Sequence, residues 1–369
     1  MFLPGCSNVS VQSEVDYNSG SVYVLICLGK VSVKEKTCKV INTTDLMSAE
    51  WRFLESYMPA RNISWSTHTS KAYRGPSRLK RARAGIAAVA EAKRALKKNQ
   101  KALLVSHLPN MAAATNAARL VIAPKVPQIA FSFNFTTLPQ GIARHGYRRF
   151  LRNIDEVVVF STFERGLYAD WLDIPIEKIR FLKWAMDAPQ AAPPDQGGIE
   201  PQPYLCSIGG EARDYSLLAE AMRKLPQHRA VIIARPYSIE GIDFPDNVEV
   251  KINLPSDQTW RIALDSVGLA LPLLNEDTAC GHITFAGGQL LGIPILTTRT
   301  HGLADYLADG DVFGTMQAGS VDDAVSQIET LFKDPTEAKT QAMALVSKAE
   351  SMYSPKQLAN YFQGAIDRL

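Results

Sequence analysis

Residues Val267–Tyr306 read VGLALPLLNEDTACGHITFAGGQLLGIPILTTRTHGLADY. Val267–Leu274 is a continuous apolar run of the sort buried in a parallel sheet. Asn275–His282 is a polar turn containing glycine, a helix-length segment runs on to Gly292, and Ile293-Pro294-Ile295-Leu296 opens a second strand. Strand, turn, helix and strand make a βαβ unit, the building block of a parallel sheet. Its turn presents backbone N–H groups at a helix N-terminus, and with the helix dipole these suit a phosphate oxygen. Gly287 and Gly288 lie in the helical segment. Two glycines cost a helix roughly 2 kcal/mol relative to alanine. The helix is therefore either tightly packed there or begins later, near Gln289.

Before this unit, Ala188–Pro203 (APQAAPPDQGGIEPQP) is rich in Pro, Gly and Gln without periodicity and reads as a stiff linker. After the linker, Tyr204–Ile208, Ala230–Ala234 and Val248–Ile252 read as strands, with helices over Tyr215–Leu225 and Thr259–Asp265. Asp322–Lys333 and Lys339–Tyr353 read as helices. Ser354–Leu369 is a final one, introduced by Ser354 as N-cap and Pro355 as first helical residue. Ahead of the linker, strands are expected at Val22–Leu28, Asn62–Ser66, Ala102–Ser106, Gln128–Phe133 and Val157–Ser161. Helices are expected at Met47–Met58, Met111–Leu120 and Phe163–Leu172. A further one spans Pro76–Lys101, with Ile86, Val89, Ala90 and Leu96 as its apolar face. Residues 1–20 are polar and read as a loose lead-in. The alternation predicts an α/β protein with parallel sheets covered on both faces. A chain of 369 residues exceeds one ordinary core. The expected domains are residues 1–190 and 204–353, a linker at 191–203, and a terminal helix at 354–369.

Composition narrows the class. Apolar residues make up 46% and charged residues 21%, as in soluble globular proteins, which excludes global disorder. The five cysteines are scattered and none forms a CxxC pair, which reads as free thiols in a reducing cytoplasm rather than a disulfide or metal framework. The opening LPGC resembles the end of a lipoprotein cleavage site, yet a basic start and an apolar run are missing. No stretch approaches the ~18 apolar residues of a membrane span, so membrane contact is expected to be peripheral.

The opening stretch resembles the donor-binding signature of the "group 1", family four-like retaining glycosyltransferases of the GT-B fold. Gly281, Gly292, Pro294, Gly302, Asp305 and Tyr306 stand where that pattern places them. Phe160–Asp187 resembles the segment in which an N-domain strand ends in Ser, a helix follows, and a strand leads to the linker. The resemblance covers roughly residues 102–369. It implies two Rossmann-like domains facing a central cleft, with the C-terminal helix returning to the first domain. The second domain is then expected to bind a nucleotide sugar, and the first an acceptor. Many members carry a second Glu that holds the donor ribose; here that position is Gly287.

On that resemblance the donor-binding candidates are Gly209, Gly210, Arg213, Arg235, Glu276, Gly281, His282, Ile283 and Thr284. A bidentate guanidinium suits phosphate geometry, so Arg213 either neutralises a diphosphate or pairs with Glu211 or Asp214 at a solvated helix start. His107 and Asn134 follow first-domain strands where related enzymes often carry His, and they are the catalytic candidates; His107 as a structural histidine is the alternative. The resemblance implies metal-independent transfer, so neither a metal nor a cofactor is expected. Two rival readings stay open: a nucleotide-sugar epimerase, and a degenerate GT-B subunit that binds a partner glycosyltransferase.

Charge adds a location. Lys71–Lys101 holds eleven Lys or Arg against Glu91 alone, and Arg144–Arg152 adds four arginines beside His145, Tyr147 and Phe150. Such a face attracts anionic lipid. It also reads as a solvated helix face, and the chain carries no nucleic-acid motif beside it. The expected partners are thus a nucleotide sugar, a lipid-linked or glycan acceptor and an anionic membrane surface, without nucleic acid. The expected place is the cytoplasm, peripheral on the inner face of the cell membrane, in polysaccharide assembly.

Overall fold

The computed structural model describes residues 37–58, 62–194, 203–277, 279–307 and 312–369, all within one compact unit. The expected strand Val22–Leu28 lies outside them. Two six-stranded sheets, every pairing parallel, form two lobes. The first sheet comprises β1 (Cys38–Thr44), β2 (Ile63–Thr69), β3 (Lys101–His107), β4 (Gln128–Phe131), β5 (Glu156–Val159) and β6 (Ile179–Phe181), in the order β2-β1-β3-β4-β5-β6. The second comprises β7 (Tyr204–Gly209), β8 (Arg229–Ala234), β9 (Val248–Ile252), β10 (Gly268–Leu271), β11 (Ile295–Thr298) and β12 (Gly314–Met316), in the order β12-β11-β10-β7-β8-β9. Strand order reverses between β1 and β3 in one sheet and between β7 and β10 in the other. Such reversals open crevices at the carboxyl ends of strands, where open α/β sheets bind ligands.

One face of the first sheet is covered by α1 (Ser77–Lys97), α2 (Pro109–Ile122), α3 (Gly141–Leu151) and α4 (Thr162–Leu172). The expected apolar face of α1 holds only in part. Ile86 and Leu96 are exposed, while Ala84, Gly85, Ala88, Val89, Ala92 and Ala95 are buried. Small residues let the helices approach: a Cβ at Gly85 would lie 3.0 Å from Thr115 Cα of α2.

The expected helix Met47–Met58 does not form; those residues run as bends and turns. The rings explain it. Trp51 and Phe53 both reach His107, each with ring centroids 4.8 Å away. Residues two apart on a helix face opposite ways and cannot share a target. This segment and the last helix, α11 (Pro355–Asp367), cover the other face of the first sheet, with Phe362 fully buried against Phe53 and Phe131.

In the second lobe, α5 (Tyr215–Arg223) and α8 (Val321–Lys333) pack on one face. On the other lie α6 (Ser256–Asp265) and α7 (His282–Leu290). The expected helix Lys339–Tyr353 is two, α9 (Pro335–Ala344) and α10 (Val346–Met352), broken at Leu345. The α7 helix begins at His282 and runs through both glycines, which settles the two expectations in favour of tight packing. A Cβ at Gly287 would lie 2.3 Å from Trp260 Cη2, and one at Gly288 3.0 Å from Ile295 Cδ1.

Candidate functional site

The two lobes meet along the carboxyl edges of both sheets. Asp305 accepts from Thr162 N (2.7 Å) and Thr162 Oγ1 (2.9 Å) at the start of α4. Tyr306 Oη donates to Phe160 O (2.8 Å) and accepts from Trp184 N (2.8 Å). Asn134 Nδ2 donates to Ala279 O (2.6 Å), so this first-lobe residue spans the junction and touches the turn before α7. Thr136 Oγ1 donates to Glu211 Oε2 (3.0 Å). The loop Gly302–Tyr306 therefore clasps the first lobe.

On the second-lobe side, Arg213 crosses the strand-order reversal: it forms an isolated antiparallel bridge with Leu273, joining the loop after β7 to the segment after β10. Its guanidinium is buried and donates to Ile208 O (3.0 Å), Glu211 O (2.9 Å) and Thr284 Oγ1 (3.0 Å). Burial lowers its pKa, but an arginine stays cationic in a protein. Gly209, at φ +122°, lies under that guanidinium: a Cβ there would sit 2.6 Å from Nη2. Gly210 lies against the Arg235 side chain and Tyr237 Oη. Gly281 takes the left-handed conformation (φ +97°) as N-cap of α7. The amides of His282, Ile283 and Thr284 that follow have no acceptor among the described residues. A cation and three N–H groups thus lie at the start of α7, an arrangement that suits an anion.

Not every candidate joins this group. Glu276 is exposed on the turn, and its carbonyl accepts from His301 N (2.7 Å). Arg235 is exposed and donates to Asn253 Oδ1 (2.8 Å). The His282 side chain is committed elsewhere: Nε2 bonds Gly302 O (3.0 Å) and the ring packs on Tyr306. Sequence reasoning passed over Thr284 Oγ1 as the arginine's acceptor, and over Tyr237, whose Oη donates to Glu211 Oε1 (2.5 Å). No local pattern marks either, because both contacts are long-range. No group of three or more metal-ligating side chains occurs among the described residues.

On the first-lobe side, His107 ends β3 at the β1/β3 reversal, with Nε2 3.2 Å from Asn42 Oδ1 and its ring among Trp51, Phe53 and Phe131. Burial pushes its pKa down to about 3 and that of His282 to about 4, so both are neutral near pH 7. Burial pushes Glu164, at the start of α4, up to about 7.

These shifts have opposite signs in stability. The unfolded histidines take up protons below about pH 6.5 while the folded ones do not, so each lowers stability as pH falls towards its folded value. Glu164 holds a proton in the fold that the unfolded chain releases above about pH 4.5, so it loses stability as pH rises to about 7. Between pH 4.5 and 6.5 two losses oppose one gain. His107→Gln is expected to remove up to about 1.4 kcal/mol per pH unit of the loss. Urea midpoints taken from pH 7 to 4.5 check it, and an unchanged slope would mean His107 protonates in place.

No protein-family model and no curated protein matches this chain. Among solved structures, sucrose-phosphate synthase from Thermosynechococcus elongatus aligns with a TM-score of 0.69 at 10% identity, covering 90% of this chain and 100% of that one. Anabaena HepE in complex with UDP-glucose aligns with a TM-score of 0.66 at 12% identity over the same shares. The lipopolysaccharide outer core galactosyltransferase WaaB aligns with a TM-score of 0.58 at 12% identity, again over 90% and 100%. The chain has the GT-B fold.

Proposed function

We propose that the protein is a glycosyltransferase that moves a sugar from a nucleotide-sugar donor, held by the second lobe, to an acceptor on the first. The observation that carries this reading is the β7/β10 reversal, where Arg213 bridges to Leu273 and meets Thr284 at the open N-terminus of α7. The HepE neighbour, solved with UDP and with UDP-glucose, supports a donor of that class. Arg213 and the α7 amides would stabilise the departing diphosphate electrostatically, a role that asks for no divalent ion.

An acceptor at an anionic membrane surface, lipid-linked as in polysaccharide assembly, fits the first lobe's charge. An open basin of about 860 Å³ is lined by Arg148, Arg149, Arg152 and His145 together with Val121 and Phe150. Val121 is 83% exposed, and Ile142 on α3 is 94% exposed. No helix among the described residues is long and apolar enough to cross a membrane.

One observation favours a second reading, a degenerate subunit that binds a partner. The direction in which a Gly287 side chain would project is filled by the Trp260 ring. Thermal shift against a panel of nucleotide sugars, followed by turnover with membranes present, separates the two. Stabilisation by one nucleotide sugar and its consumption are expected; binding with neither transfer nor hydrolysis favours the subunit, and no binding at all removes the transferase reading.

A further inference from the structure

A second concave site lies on the first-lobe side of the cleft, at the β1/β3 reversal. It is a cavity of about 340 Å³ whose lining is almost wholly apolar. Trp51, Phe53, Phe131 and Trp184 form its walls, and His107, neutral and ring-packed, lines it with Thr44 and Ser132. Its mouth carries Leu46, 59% exposed, and Met47, 39% exposed. Across the junction Ile283, 52% exposed, completes it. Ile283 belongs to both sites: its side chain lines the cavity, while its amide is one of the three at the start of α7.

Two independent features mark this cavity as built for a ligand. Leu108 (φ +72°) and Ser132 (φ +53°), which follow β3 and β4 and line it, hold left-handed conformations that non-glycine residues avoid. Such strain concentrates at ligand sites. An apolar pocket of this volume with few polar groups is also the usual form of a small-molecule site. Sugars, rich in hydroxyls, would leave their hydrogen bonds unmade on such walls. Charge points the same way. Lys71 Nζ, in the turn before α1, bonds Leu46 O, and Arg81 Nε of α1 lies 2.6 Å from Asp45 Oδ2, so a lysine and an arginine paired with Asp45 are held by the residues beside the mouth.

We propose that this cavity receives the apolar portion of the acceptor, and that the acceptor is an anionic amphiphile: an alkyl chain or aromatic ring joined to a phosphate, with its apolar part drawn into the protein and its anionic group towards Lys71 and Arg81. The inference rests on the transferase reading, since it names the acceptor for that same cleft.

The test uses the full chain and displacement of 8-anilinonaphthalene-1-sulfonate fluorescence by n-dodecyl phosphate, n-dodecyl maltoside, inorganic phosphate and glucose, all below micelle concentration. Dodecyl phosphate is expected to displace the dye and dodecyl maltoside to do so on the order of tenfold less well, while phosphate and glucose do nothing. Leu46→Asp and Met47→Asp, both at exposed positions, are expected to weaken dodecyl phosphate on the order of tenfold. Lys71→Ala is expected to erase the preference for phosphate over maltoside. Stabilisation by UDP-glucose is measured on the same samples and is expected to be unchanged in all three variants. Nucleotide binding without saturable amphiphile binding overturns this inference alone. Amphiphile binding indifferent to the mouth substitutions overturns it too. Absence of both kinds of binding removes the transferase reading with it, and amphiphile binding without any nucleotide binding removes the cavity's role as an acceptor site.

Discussion

Gly287→Glu is expected to destabilise the protein by roughly 3 kcal/mol or more, even though glutamate is the residue that the sequence resemblance asks for at this position. In an exposed helix the change would gain about 0.5–1 kcal/mol from propensity alone. Here a Cβ would lie 2.3 Å from Trp260 Cη2, 2.7 Å from Cζ2 and 3.1 Å from Pro189 Cγ. Trp260 is itself buried among Tyr204, Val231 and Leu269, so the ring has nowhere to withdraw. Overpacking of this kind costs about 1–3 kcal/mol, and an unpaired carboxylate in the same place adds more. Gly287→Ala isolates the steric part and is expected to lose stability as well. Urea unfolding of both variants, with and without Trp260→Ala, is the measurement. A fully stable Gly287→Glu protein would show that the indole swings away and frees the slot.

Arg213→Met is expected to lower kcat/KM for sugar transfer by roughly 10²–10³, the size of effect seen when a preorganised group facing developing charge is removed. Part of any loss will be structural. Three protein oxygens, on Ile208, Glu211 and Thr284, lose their donor, which costs about 1–3 kcal/mol for each acceptor left buried without a partner. Affinity for a nucleoside diphosphate and for its parent nucleoside separates the contributions. A role at the diphosphate weakens the first at least tenfold and leaves the second unchanged. Equal loss of both would make Arg213 a brace for the loop and nothing more.

The parallel α/β architecture was legible because its central strands are uninterrupted apolar runs and its helices carry clear periods. What escaped did so for physical reasons. β1 hides because Asn42, Thr43 and Thr44 are polar yet buried; Thr43 Oγ1 is satisfied by Ser106 Oγ at 2.9 Å and Thr115 Oγ1 at 3.0 Å, partners far away in the sequence. β12 is three residues long and offers no period to read. Met47–Met58 reads as a helix, but ring packing of Trp51 and Phe53 on His107 and Phe131 overrides local propensity. In the candidate site, glycines and the βαβ pattern announce the turn before α7. They do not announce that Arg213, 71 residues before Thr284, donates to its hydroxyl. Nor does anything in the sequence around Gly287 foretell the ring of Trp260 beside it.

The last helix bears on how the protein is made. Phe362 and Ile366 of α11 are buried in the same cluster as Val40 of β1, Leu103 of β3 and Val158 of β5. A ribosome releases those strands long before it has synthesised the residues that seal them. The first lobe must therefore wait, with its aromatic surface unsealed, until α11 has been synthesised, and a premature stop near Ser354 would leave that surface for chaperones to manage.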